Sequence, residues 1–218
     1  MFGYNYGVGL LAAKNNPVAS NTLSLLHMQG TNGGASFPDA NTARTWAPTS
    51  LTTSTTEHNF GTASADFNGS TSELVSNQNI DLSTTNWTME CFVYLLSTGS
   101  MTVVDTGSCE FFLSTTTVIF TEIGGGSQIA ACSATILENT WTHIAVVKTG
   151  TDTIKFFVGG VLQTNTLNMS SYTNPNAIYT IGNGINGAFN GFIDELRISK
   201  IARYSSTFTP PSAPFVLD

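Results

Sequence analysis

The sequence predicts an all-β fold, an antiparallel sandwich of two sheets, and three observations support this prediction. Apolar segments of strand length recur along the chain, and turn residues separate them. Several segments alternate with a period of two residues, as half-buried strands do. No stretch keeps a helical period for longer than a turn or two, and only IARYSS (201–206) is expected to form a single helical turn. Many strands at close spacing favour packed antiparallel sheets.

The first strands follow an N-terminal segment, residues 1–20, which is rich in Gly and Asn and is interpreted as an extended arm. LSLLHM (23–28) is an apolar run of strand length. ASADFNG (63–69) and SELVS (72–76) flank the dipeptide Asn68-Gly69, which is typical of hairpin turns. These two segments are therefore predicted to pair as a β-hairpin.

The segment WTMECFVYL (87–95) is predicted to be a central strand, because both of its faces are largely apolar. The period of two gives one face of five residues and another of four: Trp87, Met89, Cys91, Val93 and Leu95, and then Thr88, Glu90, Phe92 and Tyr94. A strand with two apolar faces is expected inside a sheet and not at its edge.

The later strands are separated by glycine-rich or polar turns. WTHIAVVK (141–148) and TIKFFV (153–158) flank the turn TGTD, and GFIDELRIS (191–199) is the last strand. Prolines in FTPPSAPFVLD exclude a central strand, so residues 207–218 are predicted to run extended over the surface. Residues 21–218 are therefore predicted to form one domain.

Composition argues against several classes of function. The formal net charge is −7 and the few basic residues are scattered, so binding to nucleic acid or to a membrane surface is not expected. No apolar run approaches the ~20 residues that span a bilayer, and the start MFGYNYGVGLLAAKNN lacks the features of a signal peptide. Cys91, Cys109 and Cys132 are expected to be free buried thiols, with a Cys109–Cys132 bridge as the alternative.

The order and spacing of several motifs resemble one known family. LLHMQGTNGGASFPD is similar to its opening strand and loop, and FGTASADFNGSTSELVS to the segment that follows. The later family motifs are matched by NWTMECFVYL, NTWTHIAVVKTG, IKFFVGGV, YTIGNG and FNGFIDELRISKIARYSSTFTPPSAPF. From about Leu23 to Phe215 the chain thus resembles the LamG-like, concanavalin A-like jelly rolls of bacteriophage structural proteins.

The resemblance implies a non-enzymatic virion protein, either a capsid decoration protein or a tail-associated one, made in the host cytoplasm without a signal peptide. Residues 1–20 would then bind other virion proteins, and a homo-oligomer is expected. Because the same fold serves other functions, a module that binds host-surface glycans is the alternative, and a glycoside hydrolase is a third hypothesis.

The acids of the chain do not predict catalysis. Neighbours in a strand point to opposite faces, so Asp194 and Glu195 are not expected to face one substrate unless the strand bulges there. Glu195 and Arg197 would then share a face and permit an ion pair. Glu90 is alone on its strand and is expected to be solvated or to line a groove, whereas a glycosidase needs two acids at a fixed separation. No catalytic residue is predicted.

Asp194 is expected to face inward, and a buried carboxylate needs donors or a cation around it. Two arrangements fit: hydrogen bonds from the backbone N–H groups of a neighbouring loop, or a structural calcium shared with backbone carbonyls and Asp39 or Gln29. The resemblance implies an Asp, as a calcium ligand, where Gln29 stands, and Gln29 offers only a neutral amide oxygen. No other cofactor is expected.

Aromatic residues and one loop are the candidates for ligand binding. Trp46, Trp87 and Trp141, with several tyrosines that include Tyr94 and Tyr179, are able to stack on sugar rings, although most strand aromatics belong to a core. In the polar loop SSYTNPNA, Tyr172 and Asn174 are predicted to bind a ligand, because loops on a rigid sandwich often carry function. His143 is expected to be a hydrogen-bonded strand residue.

Overall fold

The computed structural model describes residues 21–42, 44–123, 129–151, 153–168 and 176–218. Over these ranges the chain forms eighteen β-strands and no helix, which confirms the all-β prediction. The helical turn predicted at 201–206 is wrong, because this segment is irregular. Within the described ranges, no helix is long and apolar enough to cross a membrane. The arm predicted at 1–20 lies outside the described residues.

The strands are β1 (Thr22–Leu26), β2 (Trp46–Thr49), β3 (Thr52–Ser54), β4 (Ser64–Asn68), β5 (Glu73–Ser76), β6 (Ile80–Asp81), β7 (Trp87–Leu95), β8 (Met101–Asp105), β9 (Cys109–Ser114), β10 (Thr117–Glu122), β11 (Ile129–Ser133), β12 (Thr142–Thr149), β13 (Thr153–Val158), β14 (Val161–Leu162), β15 (Asn165–Asn168), β16 (Asn176–Ala177), β17 (Thr180–Ile181) and β18 (Asn190–Ser199).

Two eight-stranded antiparallel sheets form the sandwich, as predicted. Sheet A has the order β14-β13-β12-β7-β18-β4-β3, and β1 pairs with β18. Sheet B has the order β15-β11-β10-β9-β8-β17-β5-β2. One continuous cluster of buried apolar side chains draws on both sheets and forms the core. The face of sheet A that is turned away from this core is called the outer face below.

Strand β7 lies at the centre of sheet A, between β12 and β18, as its two apolar faces predict. The residues from Trp87 to Leu95 at every second position all belong to the core. A fully buried Val, Leu or Met side chain contributes about 1.5–3 kcal/mol, so this strand anchors the sandwich. The opposite side of β7 is also buried, except at Tyr94, and it lies beneath loops and the C-terminal segment.

The β-hairpin predicted around Asn68-Gly69 is wrong. Strand β4 pairs with β18 and β3 in sheet A, whereas β5 pairs with β17 and β2 in sheet B. The turn is real: the Asn68 side-chain oxygen accepts hydrogen bonds from three successive backbone N–H groups, 70–72, and Gly69 has φ +70. It carries the chain between sheets because Phe67 and Leu74 enter the same core from opposite sides.

The predicted pairing of the segments around TGTD is confirmed, since β12 and β13 form an antiparallel pair that ends at Thr149 and Thr153. The three cysteines are buried thiols, one on each of β7, β9 and β11. Strand β10 lies between β9 and β11, so Cys109 and Cys132 are not on adjacent strands.

The C-terminal segment, residues 200–218, crosses the outer face of sheet A without forming a strand. Phe215 is buried against Leu25 and Phe92. Phe208 stacks on Tyr204, with ring centroids 3.7 Å apart. This segment therefore buries much of the outer face and the charged groups that lie on it.

Candidate functional site

Strand β18 contains a β-bulge at Glu195. Its pairing with β7 runs in register to Asp194, which lies opposite Phe92, and resumes with Arg197 opposite Glu90, so β18 has one extra residue between these pairs. Glu195 has φ +51, a left-handed backbone that non-glycine residues seldom adopt. A bulge inserts one residue and thereby shifts the alternation of side chains.

The bulge overturns the prediction that Asp194 and Glu195 point to opposite faces. Asp194 lies opposite Phe92 on the outer face, and the Glu195 carboxylate contacts His27 and a backbone N–H of the C-terminal segment on that same side. Asp194, expected to face inward, thus lies on the outer face, and Leu196, two positions further along, belongs to the core. Alternation failed here because it assumes a strand without inserted residues.

The Asp194 carboxylate holds the loop 57–62 against the outer face. Its Oδ2 atom accepts hydrogen bonds from the backbone N–H groups of Asn59 and Phe60, both at 2.9 Å. This is the loop-binding arrangement that the sequence offered as one of two. Burial raises the pKa of Asp194 to about 7, although both N–H donors favour the charged form.

The Glu195 carboxylate is buried and fixes the ring of His27. Nδ1 of His27 lies 2.8 and 3.0 Å from the two carboxylate oxygens, and the N–H of Phe215 donates to Oε2 at 2.8 Å. The carboxylate therefore selects the tautomer with hydrogen on Nδ1, which leaves Nε2 as an acceptor in the neutral ring. The ion pair predicted between Glu195 and Arg197 is wrong, because Arg197 binds Glu90 instead.

A cavity of about 410 Å³ lies beside this pair, and ligand pockets typically range from ~300 to 1,000 Å³. Two of its wall residues have a left-handed backbone, Met28 with φ +56 and Glu195 with φ +51. Such conformations cost about 1–3 kcal/mol each and persist only where the surrounding structure holds them. The cavity is lined by His27, Met28, Gln29, Pro38, Asp39, Ala40, Gly61, Glu195 and Pro214.

Two of the residues predicted to bind calcium, Gln29 and Asp39, line this cavity, while Asp194 holds the adjacent loop. The Asp39 carboxylate accepts four hydrogen bonds, from the Ser24 hydroxyl, the indole of Trp46 and two backbone N–H groups. Among the described residues, no group of three or more His, Cys, Asp or Glu side chains is arranged to hold a metal ion. Calcium binding by these residues stays a prediction.

The prediction that Glu90 is solvated or lines a groove is wrong, because its carboxylate is buried in a polar network on the outer face. Arg197 donates to it through Nε at 2.8 Å, and the Tyr204 hydroxyl does so at 2.7 Å. His143 Nε2 lies 3.1 Å away, which confirms the hydrogen-bonded histidine. Burial raises the pKa of Glu90, but the bonds to His143, Arg197 and Tyr204 outweigh it, so the pKa lies below its ordinary value.

Some of the aromatic candidates lie in the core and others lie at the surface. Trp87 and Tyr179 are fully buried and Trp46 is nearly so. Trp141 and Tyr94 are half-buried on the outer face, with ring centroids 5.5 Å apart and planes tilted by 53°. We call these two residues the aromatic pair.

The loop candidates Tyr172 and Asn174 lie outside the described residues and stay predictions. The reasoning from sequence missed the buried network around Glu90 and the His27–Glu195 pair. The hydrogen-bonded partners in them are 53 to 168 residues apart in the chain, so no local signal reveals that they meet.

The fold is a two-sheet antiparallel β-sandwich whose outer face is covered by loops and the C-terminal segment. A sequence profile described as the Concanavalin A-like lectin/glucanases superfamily matches residues 67–207, more than half of the chain. The chain therefore belongs to this superfamily. No curated protein sequence matches it significantly.

Similar solved structures include domain 4 of AbnA, a GH43 extracellular arabinanase from Geobacillus stearothermophilus, in complex with arabinotriose. It shows 17% identity and a TM-score of 0.59, and the match covers 84% of this chain and 94% of that one. The binding domain of Paraclostridial Mosquitocidal Protein 1 shows 13% identity and a TM-score of 0.63 over 84% of this chain and 50% of that one.

The binding domain of botulinum neurotoxin DC, in complex with rat synaptotagmin II, shows 9% identity and a TM-score of 0.62, over 84% of this chain and 49% of that one. The match thus spans about half the length of each of these last two chains. At these identities the likeness establishes the fold alone.

Proposed function

We propose that this chain is a non-catalytic carbohydrate-binding module whose site is centred on the aromatic pair. The observation that carries the proposal is the partial exposure of Trp141 and Tyr94 side by side on a rigid sheet, whereas Trp46 and Trp87 are buried. The two aromatic rings offer large apolar faces and the Tyr94 hydroxyl adds a polar tip, whereas Nε1 of Trp141 is buried. A sugar is complementary to such a surface, with C–H groups on its ring faces and hydroxyls around its rim.

The surroundings of the aromatic pair supply polar groups for such a rim. Glu57, on the loop that Asp194 holds, lies beside the Tyr94 hydroxyl. Asn139 and Thr140, which directly precede Trp141, are exposed. A few polar groups around an apolar platform give orientation and specificity, while the rings supply most of the affinity.

The buried state of the acids supports a binding role in preference to glycoside hydrolysis. Glu90, Asp194 and Glu195 are each no more than 1% exposed, and each accepts hydrogen bonds from neighbouring elements. A glycosidase needs an acid and a second carboxylate on either side of the scissile bond. In the part of the chain that the structure describes, these three carboxylates stabilise the packing of the outer face. The known arabinotriose complex of a similar fold makes arabino-oligosaccharides the first probes.

Replacing Trp141 with Ala is expected to weaken glycan binding at least ~5-fold, because truncating a central aromatic of a binding site typically costs 1–2 kcal/mol or more. A glycan array selects the ligand, and calorimetric titration of wild type, Trp141→Ala and Tyr94→Ala measures the loss. Leu137→Ala is the matched control, since Leu137 is 63% exposed in the segment before Trp141. An array without any binder at millimolar glycan, or equal affinity of wild type and Trp141→Ala, contradicts the proposal.

A structural role on a bacteriophage particle is a second proposal, and it rests on the sequence resemblance. In this proposal the chain is a virion component, residues 1–20 bind other capsid or tail proteins, and copies of the chain associate. Deleting residues 1–20 is then expected to abolish attachment to the particle while glycan binding by the sandwich is retained. If the protein still attaches to the particle after the deletion, residues 1–20 do not have the proposed role.

A further inference from the structure

Three backbone carbonyl oxygens converge on the side-chain nitrogen of Gln29. The carbonyls of His27, Phe60 and Ala63 lie 2.9, 3.1 and 2.8 Å from Nε2. An amide nitrogen carries two hydrogens, so three acceptors share two donors. Carbonyl oxygens that crowd around one point repel one another unless positive charge is placed between them, and backbone carbonyls are common ligands of calcium.

The amide of Gln29 is locked into this position from its other side. Its Oε1 atom accepts the backbone N–H of Thr62 at 2.8 Å. Gly61 lies directly over the amide, since a Cβ atom at this position would be only 2.2 Å from Oε1, and its φ is +64. The loop 57–63 therefore holds the Gln29 amide in place by hydrogen bonds to both of its ends, while the side chain also lines the cavity.

We propose that the Gln29 amide nitrogen takes the place of a metal ion among the three carbonyl oxygens, so that this chain folds and binds its ligand without calcium. Most of the oxygens expected to hold an ion already have other partners. The two oxygens of Asp39 face four hydrogen-bond donors and Oδ2 of Asp194 faces two N–H groups, so that among these four carboxylate oxygens only Oδ1 of Asp194 lacks a hydrogen-bond partner within the described residues. The three carbonyls already surround a nitrogen that brings its own hydrogens.

The replacement fixes the loop to two strands at once. The peptide groups around Phe60 are bound on both sides: its N–H donates to Asp194 of β18, and its carbonyl accepts from Gln29, which follows β1. A metal ion would place the same loop by binding its carbonyls. The amide does so with a neutral group, which avoids the cost of an unpaired charge in a partly buried position.

The inference predicts that one substitution restores a calcium site. In Gln29→Asp the side chain is one methylene shorter, which frees the space of the amide nitrogen and adds a carboxylate opposite the three carbonyls. Water completes the 6–8 oxygens that calcium takes. Calcium at about 100 times its dissociation constant is expected to raise the Tm of this variant by about 5–10 °C over its value in EDTA.

Thermal unfolding in EDTA and in millimolar calcium tests the proposal on three proteins. The wild-type Tm is expected to be the same in both buffers, and Gln29→Asp is expected to respond to calcium. Gln29→Ala is the matched control: it lowers the Tm by exposing the carbonyls to one another, and calcium does not restore it because no carboxylate is added. Terbium luminescence measures ion binding independently of Tm. It can therefore be used even if Gln29→Asp folds only when the ion is present.

A wild-type protein that loses Tm in EDTA would overturn the proposal, and so would a folded Gln29→Asp variant that binds neither calcium nor terbium. For glycan binding, which rests on the proposed function, affinity is expected to be unchanged by EDTA. If no glycan binds at all while the three Tm results hold, the function proposed for the aromatic pair falls and the assignment of Gln29 stands.

Discussion

Replacing Glu90 with Ala is expected to lower the free energy of unfolding by about 3–5 kcal/mol, because it removes one partner of a buried ion pair and leaves the other uncompensated. The guanidinium of Arg197, 2.7 Å from Glu90, would remain beneath the C-terminal segment with its charge unpaired. The Tyr204 hydroxyl and His143 Nε2 would lose the same acceptor. Urea unfolding followed by tryptophan fluorescence measures the change.

Two further variants separate the charge of Glu90 from its shape. Glu90→Gln keeps the size and one acceptor, and we expect a smaller loss than in Glu90→Ala. In the double variant Glu90→Leu/Arg197→Met both charges are gone, and replacing a whole buried pair with apolar groups is often neutral. This double variant is therefore expected to be more stable than Glu90→Ala. If all three variants lie within ~1 kcal/mol of the wild type, the network does not stabilise the fold.

The same variants are expected to loosen the C-terminal segment. Tyr204 is bonded to Glu90, and the ring of Phe215 lies 4.1 Å from the Arg197 guanidinium carbon. Limited proteolysis should therefore remove residues after Tyr204 faster in Glu90→Ala than in the wild type. Equal cleavage rates would show that apolar packing alone retains this segment.

Asp194 is expected to make the wild-type protein less stable as the pH rises from about 4 to 7. Its ordinary pKa is 3.8 and burial raises it to about 7 in the folded chain. Between these values the folded state binds more protons than the unfolded state, so the free energy of unfolding falls with increasing pH. The stabilising contribution of the protonated form is complete below pH ~4 and is lost once the pH exceeds ~7. A difference of about three pKa units corresponds to roughly 4 kcal/mol, as an order of magnitude.

The variant Asp194→Asn isolates this effect, because the amide oxygen still accepts the N–H groups of Asn59 and Phe60 but does not ionise. The difference in unfolding free energy between wild type and Asp194→Asn is expected to move in favour of the variant by several kcal/mol between pH 4 and 8. Glu138→Gln is the control, since Glu138 is exposed and its substitution also replaces one carboxylate with an amide. A difference for Asp194→Asn that stays constant with pH would refute the assignment.

A large part of the fold could be predicted from the sequence, because local patterns decide it. The alternation in β7 identified both of its faces and its central position, and the turn residues after Thr149 located the β12–β13 hairpin. The turn at Asn68-Gly69 shows the limit of such patterns. Its chemistry was recognised, but the choice between pairing within one sheet and crossing to the other depends on where Phe67 and Leu74 find a core.

What the sequence by itself determined is the all-β sandwich and its buried strand faces, since side chains alternate along any regular strand. What only the tertiary structure decided is how the charged groups of the outer face meet. One extra residue at Glu195 turns two neighbouring acids to the same side, and segments as distant as His27 and Phe215 then supply the donors to Glu195. Bulges and long-range hydrogen bonds arise from packing between distant segments, and for this reason no local period encodes them.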